Sequence, residues 1–237
     1  MSVAWIPNTL TLGNLACGFV SVIFASHNSR EGYIIAAVLI LLAALLDGLD
    51  GQTARWLNVS SPVGKELDSL ADCVTFGVAP GFLAYKTYLV GMTVALAGRP
   101  IDLGILIAVI FPLCAAYRLG RFNVQPTSSS FSGLPSPIAA VLVALAPLCF
   151  RTMIIPRLLF ATGFLLVAFL MVSTIRYSKP QSFIFKNLHG FKLGGLTVLF
   201  VLLVLRFGFR FVFLFVVLYV LSGLVGLLIK IIEEYRY

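Results

Sequence analysis

The chain has 237 residues, of which 60% are hydrophobic and only 11% charged, and its mean hydropathy is +1.04. A soluble domain carries about a quarter charged residues, so this composition excludes a water-soluble globular fold and points to a polytopic membrane protein. The net charge of +8, from 17 basic and 9 acidic residues, is spread mostly between apolar runs. It suits lipid headgroups and phosphates, with no nucleic acid expected as a partner.

In chain order, eight apolar runs read as spans: 8–26, 32–49, 69–96, 102–120, 137–150, 156–174, 194–207 and 209–232. A hydrocarbon layer of about 30 Å needs a helix of about 20 residues, and the fifth and seventh runs are short for that. Apolar residues run continuously instead of alternating, which favours helices over barrel strands. The N-terminal MSVAWIPN lacks the basic region of a cleavable signal, so the first run is expected to be the first span. The four cysteines, Cys17, Cys73, Cys114 and Cys149, sit singly within apolar runs. They form no CxxC pair and read as small buried apolar residues.

Orientation follows from the basic residues between spans. Ten Lys and Arg fall in segments after even-numbered spans and six after odd-numbered ones. This bias places both termini and the segment from Asp47 to Asp72 on the cytoplasmic side. The long polar segment Tyr177 to Gly195, with four basic residues and His189, reads as a basic loop resting on anionic lipid.

Acid is scarce, yet five of the nine acidic residues lie between Asp47 and Asp72. A carboxylate at the centre of a membrane helix costs about 2.5–3.5 kcal/mol on insertion scales. Asp47 and Asp50 are spaced i, i+3 at the end of the second span, and Asp68 and Asp72 are spaced i, i+4 at the head of the third. Each pair shares a helix face. If the two helices pack as a hairpin, four carboxylates converge and repel one another unless cations intervene. Hard oxygen ligands of this kind suit Mg²⁺ or Mn²⁺.

Gly51, Ala54 and Gly64 leave room beside these ligands, while Arg55 and Lys65 suit a phosphate. Such carboxylate sites with nearby cations are typical of chemistry at phosphorus. The other readings are helix-end caps or the transit site of an ion transporter. The nearly pure apolar character of spans six to eight speaks against a transporter. Glu66 lacks the shared spacing and reads as a solvated loop residue. Arg118 and Arg121, i, i+3 at the end of the fourth span, form either an anion-binding fork or a pair of cytoplasmic anchors. Pro135, Ser136 and Pro137 read as a helix start.

The segment DGLDGQTARWLNVSSPVGKELDSLAD resembles the signature of the CDP-alcohol phosphotransferases, D-x₂-D-G-x₂-A-R-x₈-G-x₃-D-x₃-D. Asp47, Asp50, Gly51, Ala54, Arg55, Gly64, Asp68 and Asp72 meet every fixed position. IPNTLTLGNLACGF, DSLADCVTFGVAP, YRLGRFNV, FSGLPSP and MVSTIRY are further similar to the integral-membrane phosphatidylserine synthases within that family. The resemblance covers most of residues 6–177. It departs at Gly120, where alanine is the more usual residue, and the last sixty residues do not share it.

The resemblance implies an all-α polytopic fold. A six-helix membrane core over residues 1–177 would be followed by a basic loop and two C-terminal membrane helices over 178–237. It implies a homodimer in the cell membrane and an enzyme that transfers a phosphatidyl group to the hydroxyl of L-serine, releasing CMP. The donor would be CDP-diacylglycerol or an ether-lipid equivalent. The sister reaction would use glycerol phosphate or inositol phosphate instead. Two divalent cations, Mg²⁺ or Mn²⁺, would be held by Asp47, Asp50, Asp68 and Asp72. Asp72 would also act as the general base. Gly51, Ala54, Arg55 and Gly64, with Lys65 beside them, would contact CDP. Arg118 and Arg121 would meet serine or a lipid phosphate.

Overall fold

A computed structural model describes residues 5–57, 59, 61–96, 99–124, 131–150, 155–177 and 206–234. Its helices are α1 (Trp5–Ser26), α2 (Arg30–Trp56), α3 (Pro62–Leu89), α4 (Leu103–Val124), α5 (Ser136–Cys149), α6 (Arg157–Val172) and α7 (Phe209–Glu234). Among the described residues, five are long and apolar enough to cross a membrane, namely α1 to α4 and α7, while α5 and α6 are shorter apolar helices. The fold is therefore an all-α polytopic membrane protein. The expected seventh span and nearly all of the basic loop lie outside the described residues.

Local chemistry sets the helix ends. Ser29 caps α2 by accepting from the Gly32 amide at 3.0 Å, and Ser61 caps α3 by accepting from the Gly64 amide at 2.9 Å. Pro62 follows in the first turn of α3, where its missing N–H costs nothing. The cap starts α3 seven residues before the expected Ser69. Glu66 is thus an exposed helical residue and not a loop residue. At the other end α3 stops at Leu89, because Gly91 takes φ of 78°, a left-handed turn that the helix cannot continue through. Thr93–Leu96 then pairs antiparallel with Arg99–Asp102 as strands β1 and β2, so the final residues of the expected third span form a hairpin. A second short pair joins β3 (Phe131–Ser132) to β4 (Arg176–Tyr177).

α3 is not a uniform α-helix. Its turns at Val74–Val78 and Tyr85–Leu89 are π-helical. Gly77 in the first of these turns and Gly81 just after it, spaced i, i+4, sit against Pro112 and Ala115, and against Ala108, of α4. Small residues at this spacing let two membrane helices approach closely. α1 packs along α2 and also along the first half of α3, with Ser21 Oγ donating to Ala36 O at 2.9 Å and Thr75 Oγ1 donating to Asn14 O at 3.1 Å. The expected packing of α2 against α3 is met: Ile40 of α2 shares a buried apolar cluster with Phe76 and Leu83 of α3, and α1 packs against both helices.

An apolar core unites α4, α5, α6 and part of α7 around Phe111, Leu134, Val143, Phe164 and Met171. Phe111 and Phe164 stack with ring centroids 4.9 Å apart. A second apolar cluster joins α2 to α5 through Ile40, Leu83 and Leu145. The four cysteines are free and buried or half-buried.

Candidate active site

The site forms where the C-terminal end of α2 meets the N-terminal end of α3. Carboxylate oxygens of Asp47, Asp50 and Asp68 lie within 4.8 Å of one another. A hard cation binds oxygen at about 2.0–2.6 Å, so opposed ligands stand about 4–5 Å apart. The trio fits one ion. Asp68 Oδ1 is buried with no hydrogen-bond partner in the protein, an acceptor left open for such a ligand. Asp72 stands beside the trio, within hydrogen-bonding reach of Asp47. Two adjacent carboxylates need a shared proton or a cation between them. Asp50 and Asp72 are buried, while Asp47 and Asp68 are half-buried.

α1 completes the cluster with residues that charge and spacing alone did not single out. Thr11 Oγ1 donates to Asp50 Oδ2 at 2.9 Å, and Asn14 Nδ2 donates to Asp72 Oδ1 at 3.3 Å. Asn14 Oδ1 is buried without a protein partner. Asn8, Thr11 and Asn14 recur at i, i+3 along an apolar helix, and that polar stripe was the available signal. Each donor fixes a carboxylate orientation from behind, as outer-shell partners do at metal sites.

A cavity of about 180 Å³ opens beside the trio. It is lined by Asp50, Gly51, Ala54, Gly64, Lys65 and Asp68, together with Asn8, Thr11 and Ser61. A Cβ added at Gly51 would meet nothing within 4 Å, so that face of α2 has space before it. The capped N-terminus of α3 borders the cavity, which places the positive end of a helix dipole there. Of the expected nucleotide contacts, Gly51, Ala54, Gly64 and Lys65 share this cavity. Arg55 is exposed in the last turn of α2 and is not part of the lining.

The two arginines of α4 differ. Arg121 Nη1 donates to Val172 O at 3.0 Å and Nη2 to Ser173 O at 3.3 Å, so its guanidinium ties α4 to the end of α6. Arg118 is buried, gives Nη1 to Ser136 Oγ at 3.0 Å and leaves Nε without a protein partner. It lies within electrostatic reach of Asp72. Pro135 and Pro137 flank Ser136 at the first turn of α5, as expected for a helix start.

A bundle of apolar helices holds clustered aspartates beside a cavity, an arrangement that suits a membrane-embedded active site, and sequence comparison supplies the class. The family model for CDP-alcohol phosphatidyltransferase matches residues 4–175, and the chain belongs to that family. A CDP-diacylglycerol–serine O-phosphatidyltransferase of Helicobacter pylori is 38% identical over 178 residues, covering 72% of this chain and 70% of that protein. A protein of the same name from Bacillus subtilis is 36% identical over 186 residues, covering 78% of this chain and 96% of its own length. A third, from Methanocaldococcus jannaschii, is 33% identical over 180 residues, covering 76% of this chain and 77% of that protein.

Proposed function

We propose that this chain transfers the phosphatidyl group of a CDP-diacylglycerol-type lipid to L-serine, giving phosphatidylserine and CMP. The observation that carries the reading is the meeting of the aspartate trio, Asp72 and the small-residue cavity at one end of the membrane helices. The relatives' shared name supports serine as the acceptor. Residues 1–177 form the reacting core in this reading and residues 178–237 are appended to it. The enzyme works as a homodimer in the cell membrane with its site toward the cytoplasm, in keeping with the basic-residue bias.

Each part of the site has one job. Asp47, Asp50, Asp68 and Asp72 would hold two divalent cations, Mg²⁺ or Mn²⁺, with the trio fitting the first. When bound, such ions would supply positive charge beside the pyrophosphate. Gly51, Ala54 and Gly64 admit the nucleotide closely, with Lys65 and the α3 dipole favouring its phosphates and Arg55 nearby in the same signature. The serine hydroxyl is a weak nucleophile at neutral pH, so Asp72 takes its proton as the oxygen attacks phosphorus. A new P–O bond forms to serine while the P–O bond to CMP breaks, leaving the electron pair on CMP. Asn14 holds Asp72 from behind for that role. Arg118 faces the serine carboxylate, and Arg121 fixes the helix end that presents it.

The test is CMP release from the purified protein with CDP-diacylglycerol and a panel of serine, glycerol phosphate and inositol phosphate. Turnover is expected with serine, is lost in excess EDTA, and returns with Mn²⁺ or Mg²⁺. Turnover with a phosphorylated acceptor alone would move the chain to a sister reaction, and full release in EDTA would remove the metal account.

A further inference from the structure

We infer that Ser136 is a positioning residue for the acceptor: its hydroxyl holds the Arg118 guanidinium in place to meet the serine carboxylate, a role that rests on the proposed serine transfer.

The bond between the two side chains is direct. Arg118 Nη1 donates to Ser136 Oγ at 3.0 Å, and both residues are buried, Ser136 completely. Nε, on the other edge of the guanidinium, is buried without a protein partner. Arginine grips a carboxylate through two N–H groups of one edge. A bond at Nη1 therefore holds the plane still while the Nε edge takes the anion. A hydroxyl does this without charge of its own, so the guanidinium is oriented and not neutralised.

Ser136 has little freedom to move away. The segment before it is clasped to the end of α6, where Gly133 N donates to Ile175 O and Leu134 N to Leu170 O, each at 2.9 Å. Gly133 takes φ of 82°, and a Cβ there would collide with Met171 O. Pro135 and Pro137 stiffen the backbone on either side of the serine. Arg121, on the same helix as Arg118, donates to Val172 O and Ser173 O in that same stretch. Both ends of the Arg118–Ser136 bond are thus tied to residues 170–175. FSGLPSP and MVSTIRY form the two halves of this clasp.

Height along α4 brings Arg118 to the acidic site. Asn123 Nδ2 donates to Ser69 Oγ at 2.9 Å, and eight residues away along each helix Gly77 sits against Ala115. This antiparallel register sets Arg118 level with Val74, two residues past Asp72, or about 3 Å along the axis.

The experiment compares full-length wild type and Ser136→Ala in lipid nanodiscs, varying L-serine and CDP-diacylglycerol separately. The KM for serine is expected to rise about three- to tenfold, while kcat and the KM for CDP-diacylglycerol change less than twofold. Because Ser136 acts through Arg118, the same substitution on an Arg118→Lys background should raise the serine KM no further. An unchanged serine KM in Ser136→Ala overturns the inference. So does a parallel loss for both substrates with a lowered thermal midpoint, which marks a structural role alone, and so does a full additive rise on the Arg118→Lys background. If wild type turns over with another acceptor but not serine, the proposed reaction falls. The same comparison is then read on that acceptor's KM.

Discussion

The two ends of the bundle solve opposite problems. Around α1, α2 and α3 the helices bury Thr11, Asn14, Ser21, Asp50, Asp72 and Thr75, each polar and most bound to another by a named hydrogen bond. Around α5, α6 and the start of α7 a cavity of about 350 Å³ is lined by Phe160, Phe164, Val167 and Val220 and similar apolar side chains. The first region holds groups that are costly to bury, and it can do so only because they satisfy one another or await a ligand. The second contains nothing that chemistry could use, and its shape is set by packing alone. Polar burial and apolar filling thus dominate different regions of one chain.

The sharpest way to break that contrast is at Asp72. Asp72→Asn keeps the shape and one acceptor oxygen but removes the proton acceptor, and it should lose about 10²–10⁴-fold in turnover. Binding of the CDP-lipid should survive, because Asp47, Asp50 and Asp68 still fit an ion. Asp47→Asn should instead weaken metal and nucleotide binding together. Affinity for the CDP-lipid and CMP release, measured on both variants at saturating metal, separate the two roles. If Asp72→Asn loses affinity as severely as Asp47→Asn and recovers at high metal, Asp72 is chiefly a ligand.

A smaller effect is expected one shell out. Asn14→Leu removes the amide that holds Asp72 at 3.3 Å. Turnover should fall about 10- to 100-fold, the usual range for partners behind a ligand, with the helical circular dichroism unchanged. Loss of less than twofold would show that Asp72 orients itself.

The smallest change in activity is expected in the apolar half. Phe164→Leu breaks the stack with Phe111, an arrangement worth about 0.5–1.5 kcal/mol beyond its area. The thermal midpoint in detergent should drop while turnover per folded molecule stays within twofold. A large loss of turnover would mean that the two halves are coupled after all.

Much of the aspartate site was legible because carboxylates are rare in apolar sequence and their i, i+3 and i, i+4 spacing carries a direct geometric meaning. The span pattern was equally plain, since long apolar runs have few other solutions. Thr11 and Asn14 were harder to see as partners. Their hydrogen bonds reach across 39 and 58 residues of chain, and no local spacing encodes such a distance. The hairpin at 93–102 hid because Thr93–Leu96 is as apolar as the helix before it, and the break lies in the backbone, at Val90 with ψ of 132° and Gly91 with positive φ. Arg118 and Arg121 looked alike in sequence, yet one is buried and bound to the Ser136 hydroxyl while the other is taken up by backbone carbonyls.

The π-helical turn at Val74–Val78 follows Asp72 by a single residue. Such a turn takes up one extra residue without advancing the phase of the helix. In an unbroken α-helix Asp72 and Gly81, nine positions apart, would point about 180° from each other at about 100° per residue. With one residue absorbed they stand about 80° apart. The face that touches α4 is thereby swung round next to the face that carries the carboxylates. One inserted residue acts as a vernier, setting the angle between the helix contact face and the acidic wall.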